Sequence, residues 1–148
     1  MKIIRLLIVL LLLPVLSWAQ GEQKQVFGNT EVHYMMLNSK DLNADVAGAY
    51  GIQRSGKFGF IMVSVLEHSS ESQMMRPVPA IIEARVINLI GQVSDIELEE
   101  IREQGGLYYV GTFKFYNEDI YRFEIDVKTQ ADQKDAFSVK HRQRMYFE

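Results

Sequence analysis

The sequence predicts a mainly β fold, an antiparallel immunoglobulin-like β-sandwich of about seven strands with one short helix between the first two strands. Three observations lead to this prediction. Strand-like segments recur at fairly regular spacing, turn residues separate them, and the chain shows no long amphipathic helices of the kind that connect parallel strands. A small closed barrel is the alternative architecture.

The first 19 residues have the pattern of a secretory signal peptide. Lys2 and Arg5 precede the apolar run Leu6 to Leu13, and small residues at Ser17 and Ala19 favour cleavage after Ala19. The run is too short for a membrane-spanning helix, which needs about 20 residues. We therefore expect an exported, periplasmic protein.

The mature chain predicted from this cleavage, residues 20–148, has the length of a single domain with a loose polar leader at 20–25. Removing Lys2 and Arg5 from the 16 basic residues leaves 14 against 19 acidic residues, a net charge of −5. This charge argues against nucleic acid and anionic membranes as partners. The chain has no cysteine, which excludes a lipoprotein anchor, disulfides and thiol chemistry.

The segment from Glu31 to Leu66 predicts a strand, a helix of about seven residues and a second strand. Asn43 is the expected N-cap, Asp45 lies in the first turn where the helix dipole favours negative charge, and Gly51 ends the helix. So short a helix is unstable alone in water. It must therefore pack on the sheet.

Five further strands follow. The acidic segment from Ser94 to Arg102 alternates weakly, and a helix is the competing prediction for it. The turn at Gln104-Gly105-Gly106 favours a hairpin between this segment and the next strand. The last strand is basic in its second half, and we predict that it lies at a sheet edge. The strands are predicted at Ala80 to Ile90, Ser94 to Arg102, Leu107 to Tyr116, Tyr121 to Lys128, and from Phe137 onward.

The segments EVHYMMLNS, LNADVAGAYGIQRS and GFIMVSVL, with the later ARVINLIGQ, LEEIRE and LYYVGTF, resemble a family of exported proteins of Gram-negative bacteria known as domain of unknown function 4426. The resemblance covers essentially the whole mature chain and implies an exported β-rich domain with no assigned activity. Members often have a proline opening the helix, where this chain has Ala44. The resemblance carries over no catalytic residues.

One candidate binding site centres on Arg54, which lies in a turn. Its guanidinium could hold a carboxylate or phosphate, helped by Tyr34 and Asn38 if the first strand runs alongside. A structural role is the favoured reading, in which Arg54 pairs with Glu31 or Asp45 and fixes the helix on the sheet.

A second candidate is a copper site, because imidazole and thioether ligands together favour Cu(I). The candidate ligands are His33, His68, Met74 and Met75. Against this site, methionine is ordinary core filler.

His141 lies in the basic last strand, where we expect a solvated face; an anionic partner surface is the functional alternative. The acidic run from Asp95 to Glu103 could meet a stripe of lysine and arginine residues or bind calcium, but it lacks the spacing of an EF-hand loop, and a charged hairpin is the favoured interpretation.

The chain contains no hydrolase, metalloprotease or phosphate-loop motif, so we expect neither an enzyme nor a cofactor. The expected function is a non-enzymatic binding or accessory module facing another envelope protein. Copper binding and a small-ligand carrier or enzyme centred on Arg54 are the alternatives.

Overall fold

The computed structural model describes residues 23–147, which form two antiparallel sheets packed as a sandwich. The predicted signal peptide and residues 20–22 lie outside the described residues. The mainly β, antiparallel sandwich expected from the sequence is confirmed, with connectivity compatible with an immunoglobulin-like fold. The two sheets stay separate rather than closing into a barrel. Between residues 23 and 147, no helix is long and apolar enough to cross a membrane.

Sheet A has the strand order β1-β2-β3-β8-β7, and β4 pairs with the end of β3 beyond β8. All its pairings are antiparallel. Its strands are β1 (Gln23–Phe27), β2 (Thr30–Asn38), β3 (Phe58–His68), β4 (Met75–Pro77), β7 (Glu99–Glu103) and β8 (Gly106–Lys114).

Sheet B has the order β10-β9-β5-β6, again antiparallel throughout. Its strands are β5 (Ile81–Ile87), β6 (Val93–Ile96), β9 (Ile120–Lys128) and β10 (Phe137–Arg144). Alternate side chains of both sheets point inward and fill the core, as a strand period of two requires. The fully buried core residues are Val32, Ile61, Val63, Val65, Phe123, Ile125, Val127 and Val139.

The described residues form ten strands rather than about seven, through three additions. Gln23 to Gln25, predicted as part of a loose leader, pair with β2 as the edge strand β1. The predicted strand Ser94 to Arg102 is two strands, because the chain leaves sheet B after β6 and joins sheet A at β7. The crossing passes over Gly111 of β8, where a Cβ atom would collide with the carbonyl oxygen of Glu97. The short strand β4 is the third addition.

The local predictions around the helix are confirmed. Helix α1 (Ala44–Ala49) follows a 3₁₀-helix (Ser39–Asp41), and the Oδ1 atom of Asn43 accepts a hydrogen bond from the Asp45 amide at 2.8 Å. Gly51 has φ 65°, the left-handed conformation that ends a helix. The hairpin turn at Gln104 and Gly105 is also present, between the paired residues Glu103 and Gly106.

Candidate functional site

The outer face of sheet A, which points away from the core, carries a second apolar cluster. In the sheet register Met35 of β2 lies opposite Met62 of β3, and Tyr108 of β8 lies opposite Ile101 of β7. All four side chains are partly buried and pack against this cluster. Because the exposed face of an antiparallel sheet is ordinarily polar, we expect another element to pack on an apolar outer face.

Helix α1 provides part of that cover. Ala47 at its centre is 2% exposed, and the Ile52 amide donates a hydrogen bond to the Ala47 carbonyl at 2.8 Å, which fixes the exit of the helix. The buried residues that pack with Ala47 are Leu42, Phe60 and Val110. At a rise of 1.5 Å per residue the six residues of α1 extend only about 9 Å. The helix therefore covers only part of the apolar face, and Met35, Met62, Ile101 and Tyr108 remain partly buried.

Beside α1 the open part forms a cavity of about 380 Å³, which we call the apolar groove. Val46 of α1 and Tyr50, the C-cap residue of the helix, line one side of the groove, and Glu103 lies at its edge. The floor is formed by Met35, Phe60, Met62, Ile101, Tyr108 and Val110. An apolar concavity with a few polar groups at its edge is the usual form of a binding site.

Two further cavities adjoin the apolar groove and share Tyr50 with it. The acidic cavity, of about 660 Å³, lies where the chain crosses from β6 to β7 and is lined by Asp95, Glu97 and Glu99. The edge cleft, of about 380 Å³, lies between the end of α1 and all five residues of β7. Tyr50 therefore stands where the three cavities meet.

The Tyr50 hydroxyl donates a hydrogen bond to the Glu103 carboxylate, joining the end of α1 to the end of β7. This hydrogen bond, together with the negative charge of Glu103, raises the pKa of Tyr50. Tyr50 therefore stays a neutral donor. Both residues of this contact line the groove.

The structure does not bring Arg54, Tyr34 and Asn38 together. Arg54 is exposed, and its Nε and Nη2 atoms donate to the Lys40 carbonyl at 3.2 and 2.7 Å. Arg54 therefore ties the loop after α1 to the 3₁₀-helix, with a backbone oxygen as acceptor instead of the predicted Glu31 or Asp45.

Tyr34 and Asn38 belong to the interior side of β2. Tyr34 is 7% exposed and points into the core. Asn38 donates to the carbonyls of Gly56 and Tyr146 at 3.3 and 3.0 Å and accepts from the Lys40 amide. Asn38 therefore has a structural role, joining the end of β2 to the following loops and the C-terminal segment.

The candidate copper ligands fall into two places. His68 lies opposite Met75 at the far end of β3, where Met74 is exposed, whereas His33 lies opposite Ser64. His33 and His68 are thus four strand positions apart, about 13 Å at roughly 3.3 Å per residue. Among residues 23–147, no three histidine or carboxylate side chains are grouped so as to hold a metal.

His33 is part of a polar group at the edge of the outer face of sheet A. Its Nε2 atom lies 2.8 Å from the Glu31 carboxylate, which also accepts from Lys24 at 3.1 Å. Hydrogen bonds from His33 and then Lys24 lower the pKa of Glu31. On the same face, the next outward positions after His33 are Met35 and its partner Met62.

His141 differs from its predicted position. Strand β10 is a sheet edge as expected, but His141 points inward, with its ring 5.5 Å from that of Tyr34. Burial lowers the pKa of His141, and a hydrogen bond with Gln143 partly opposes this. The solvated basic face consists instead of Lys140, Arg142 and Arg144, which are exposed.

The residues that form the groove were not predicted as a site. Met62, Tyr108 and Ile101 alternate as ordinary strand residues, and Tyr50, directly before Gly51, has the position of an ordinary residue at the end of the predicted helix. A usable signal was present in the run from Phe58 to Leu66, which is apolar on both faces. One short helix could not cover that second face.

The fold and the groove define the chain as a β-sandwich with an apolar groove beside its short helix. The sequence profile described as domain of unknown function (DUF4426) matches residues 24–148. The chain therefore belongs to the DUF4426 family, as its resemblance to that family predicted. No functionally curated protein matches the chain.

Solved structures share the fold of the chain. A DUF4426 family protein from Pseudomonas aeruginosa PAO1 is similar at 29% identity and a TM-score of 0.73, over 88% of this chain and 99% of that one. A copper-bound variant of FetP from uropathogenic Escherichia coli strain F11 is similar at 10% identity and a TM-score of 0.58, over 83% of this chain and 93% of FetP.

A second FetP structure, of the "as isolated" protein from the same strain expressed in the E. coli periplasm, has 12% identity and a TM-score of 0.58. It is similar over 84% of this chain and 93% of that one. At such low identity the likeness to FetP shows a shared fold.

Proposed function

We propose that the protein is an exported, non-enzymatic binding module that holds a segment of another envelope protein in the apolar groove. The observation that carries the proposal is the open floor of that groove. Met35, Met62 and Tyr108 lie on an outer sheet face that α1 covers only in part. An apolar concavity with a few polar groups at its edge is the form that binding sites usually take.

Export and the absence of catalytic motifs support the non-enzymatic, periplasmic part of the proposal. The predicted signal peptide directs the chain across the inner membrane. The site chemistry also favours binding, because the titratable groups that line the groove are Tyr50, Tyr108 and Glu103, and the hydrogen bond to Glu103 raises the pKa of Tyr50 and keeps it a neutral donor.

Site-specific photo-crosslinking in intact cells tests this function. A photoreactive side chain at Val46, on the wall of the groove, should give one dominant adduct with an envelope protein. The same side chain at Ser138, on the exposed face of sheet B, should not. Met62→Gln should abolish the adduct by making the floor polar, while the apolar Met62→Leu should retain it.

Two results would contradict the proposal. Equal adducts at Val46 and Ser138 would show contact without a specific surface. A dominant adduct that survived Met62→Gln, in protein with an unchanged unfolding midpoint, would show that the groove floor does not bind the partner.

Copper binding is a second candidate function, favoured by the arrangement of His33, Met35 and Met62. These three residues occupy neighbouring outward positions of β2 and β3, so one imidazole and two thioethers share one face. Soft thioether ligands favour Cu(I). The fold-level likeness to FetP, one structure of which is described as copper-bound, adds a reason to test it.

Titration with Cu(I) against a competing chelator decides this question. The wild type should bind tighter than micromolar, and His33→Ala and the double variant Met35→Leu with Met62→Leu should bind more weakly. Met74→Leu is the matched control, since Met74 is exposed elsewhere on the surface. If His68→Ala weakens binding instead, the ligands are the set first predicted, and binding no tighter than micromolar removes the function.

A further inference from the structure

Strand β7 is a free edge of sheet A, and its backbone can accept another strand. It pairs only with β8 in the described chain. The two-residue turn makes Glu103 and Gly106 a hydrogen-bonded pair, so by alternation Ile101 and Glu99 also bond to β8. The amide and carbonyl groups of Glu100 and Arg102 therefore point away from the sheet.

The space beside this edge is already shaped for an extended chain. The edge cleft follows β7 along its whole length, between its five residues and Ala49 and Tyr50 at the end of α1. Five residues of strand extend about 17 Å at roughly 3.3 Å per residue. A segment lying there would run next to the apolar groove, which shares Tyr50, Ile101 and Glu103 with the cleft.

The charge around these cavities is strongly one-sided. Among residues 23–147, Arg102 is the only cation that lines any of the three cavities, and its Nε atom is paired with Glu100 at 2.7 Å. The carboxylates that line them are Asp95, Glu97, Glu99, Glu100 and Glu103. The surface therefore complements a positively charged partner, and like charges would be repelled.

The order of side chains on β7 makes this complementarity more specific. Glu99, Ile101 and Glu103 share the outer face, with the apolar residue between the two carboxylates. Cross-strand neighbours interact when their Cβ atoms are about 4.5–5.5 Å apart. The matching strand carries a cation, an apolar side chain and a cation at positions i, i+2 and i+4. Glu103 can accept from such a cation while bonded to Tyr50, because a carboxylate has further acceptor sites.

We infer that the groove's partner is an extended segment with this cation-apolar-cation pattern, which adds to the free edge of β7 as another strand. This inference rests on the proposed function and names the class of partner. Main-chain hydrogen bonds to Glu100 and Arg102 would supply affinity, and the side-chain pattern would supply specificity, as in other cases of strand addition.

The test uses blocked synthetic peptides and the mature protein. The matching peptide is Lys-Thr-Val-Thr-Lys, and the rearranged peptide Thr-Lys-Val-Lys-Thr has the same composition with its lysines on the face opposite to valine. Fluorescence anisotropy should show the matching peptide binding about tenfold more tightly than the rearranged one, and Glu-Thr-Val-Thr-Glu should not bind. Methylating the backbone nitrogens on one edge of the matching peptide should weaken binding about tenfold, while methylating the other edge should not.

Two sets of protein variants complete the design. Glu99→Gln with Glu103→Gln should weaken binding of the matching peptide about tenfold. Glu71→Gln with Glu83→Gln removes the same formal charge from exposed positions elsewhere and should leave it unchanged. Equal unfolding midpoints of the two double variants will show that both remain folded.

The outcomes separate the inference from the function on which it rests. Failure of all peptides to bind, or binding insensitive to methylation of either edge, overturns strand addition. Equal binding of the matching and rearranged peptides overturns the side-chain pattern. In each case a wild-type Val46 adduct that Met62→Gln abolishes would still support the apolar groove as a binding surface. The absence of a Val46 adduct in the wild type would overturn both the inference and the proposed function.

Discussion

The outer faces of the two sheets both point away from the core, but they differ in composition. Sheet B faces water with alternating charges: Arg85 of β5 bridges Asp126 at 2.8 Å and Glu124 at 3.5 Å, and Arg122 pairs with Glu124. Sheet A instead carries methionine and aromatic side chains that a six-residue helix covers incompletely. A stable sandwich needs only a charged outer face such as that of sheet B. We therefore propose the apolar outer face of sheet A as the binding surface.

The largest expected difference between the faces lies under α1. Phe60→Ala should lower the free energy of unfolding by about 3–5 kcal/mol, because Phe60 is 2% exposed and joins the helix to the sheet. Lys140→Ala on sheet B should change it by less than about 0.5 kcal/mol. Urea denaturation measures both, and a loss of less than about 1 kcal/mol for Phe60→Ala would show that α1 does not bury this face.

A smaller effect should distinguish the faces by their response to salt. Arg85→Met removes the cation between Asp126 and Glu124 on a partly exposed surface and should cost about 1 kcal/mol at low ionic strength. The cost should shrink in high salt because screening weakens exposed ion pairs. Met62→Leu on sheet A should cost less than about 1.5 kcal/mol and show no such salt dependence. A salt-independent loss in Arg85→Met would contradict an electrostatic role.

The smallest expected effect is a pH dependence at the polar edge of sheet A. The pKa of Glu31 is lowered from its ordinary 4.5 by hydrogen bonds from His33 and Lys24, so the unfolded chain binds a proton more readily than the folded one. This contribution to stability is present above about pH 4.5 and is lost as the pH falls through the folded pKa. Glu31→Gln should flatten the fall in melting temperature over that window, and an identical fall in the variant would contradict this assignment.

The parts of the fold that depend on neighbouring residues could be predicted from the sequence. Asn43 and Gly51 bound the helix through contacts within a few residues, and Gln104 and Gly105 define their hairpin in the same way. The core face of each strand also follows from simple alternation. These features hold wherever the segment lies in the molecule.

The other parts depend on contacts between distant segments. Strand β1 is polar and pairs through its backbone, so Gln23 to Gln25 give no apolar signal. The split of the acidic run into β6 and β7 depends on pairing with β5 and β8 and on the space above Gly111. The groove could not be predicted because it depends on how far α1 extends over sheet A. Its most distinctive contact, between Tyr50 and Glu103, joins residues 53 positions apart.

Hydrogen exchange at β7 tests the central claim most directly. In the free protein the amides of Glu100 and Arg102 should exchange quickly, because they point away from the sheet, while that of Ile101 is protected by β8. Addition of the Lys-Thr-Val-Thr-Lys peptide should protect Glu100 and Arg102 and shift the methyl resonances of Ile101 on the same strand, with no change on β10. Protection that appeared on β10, or unchanged exchange at Glu100 and Arg102 with the peptide bound, would contradict the account.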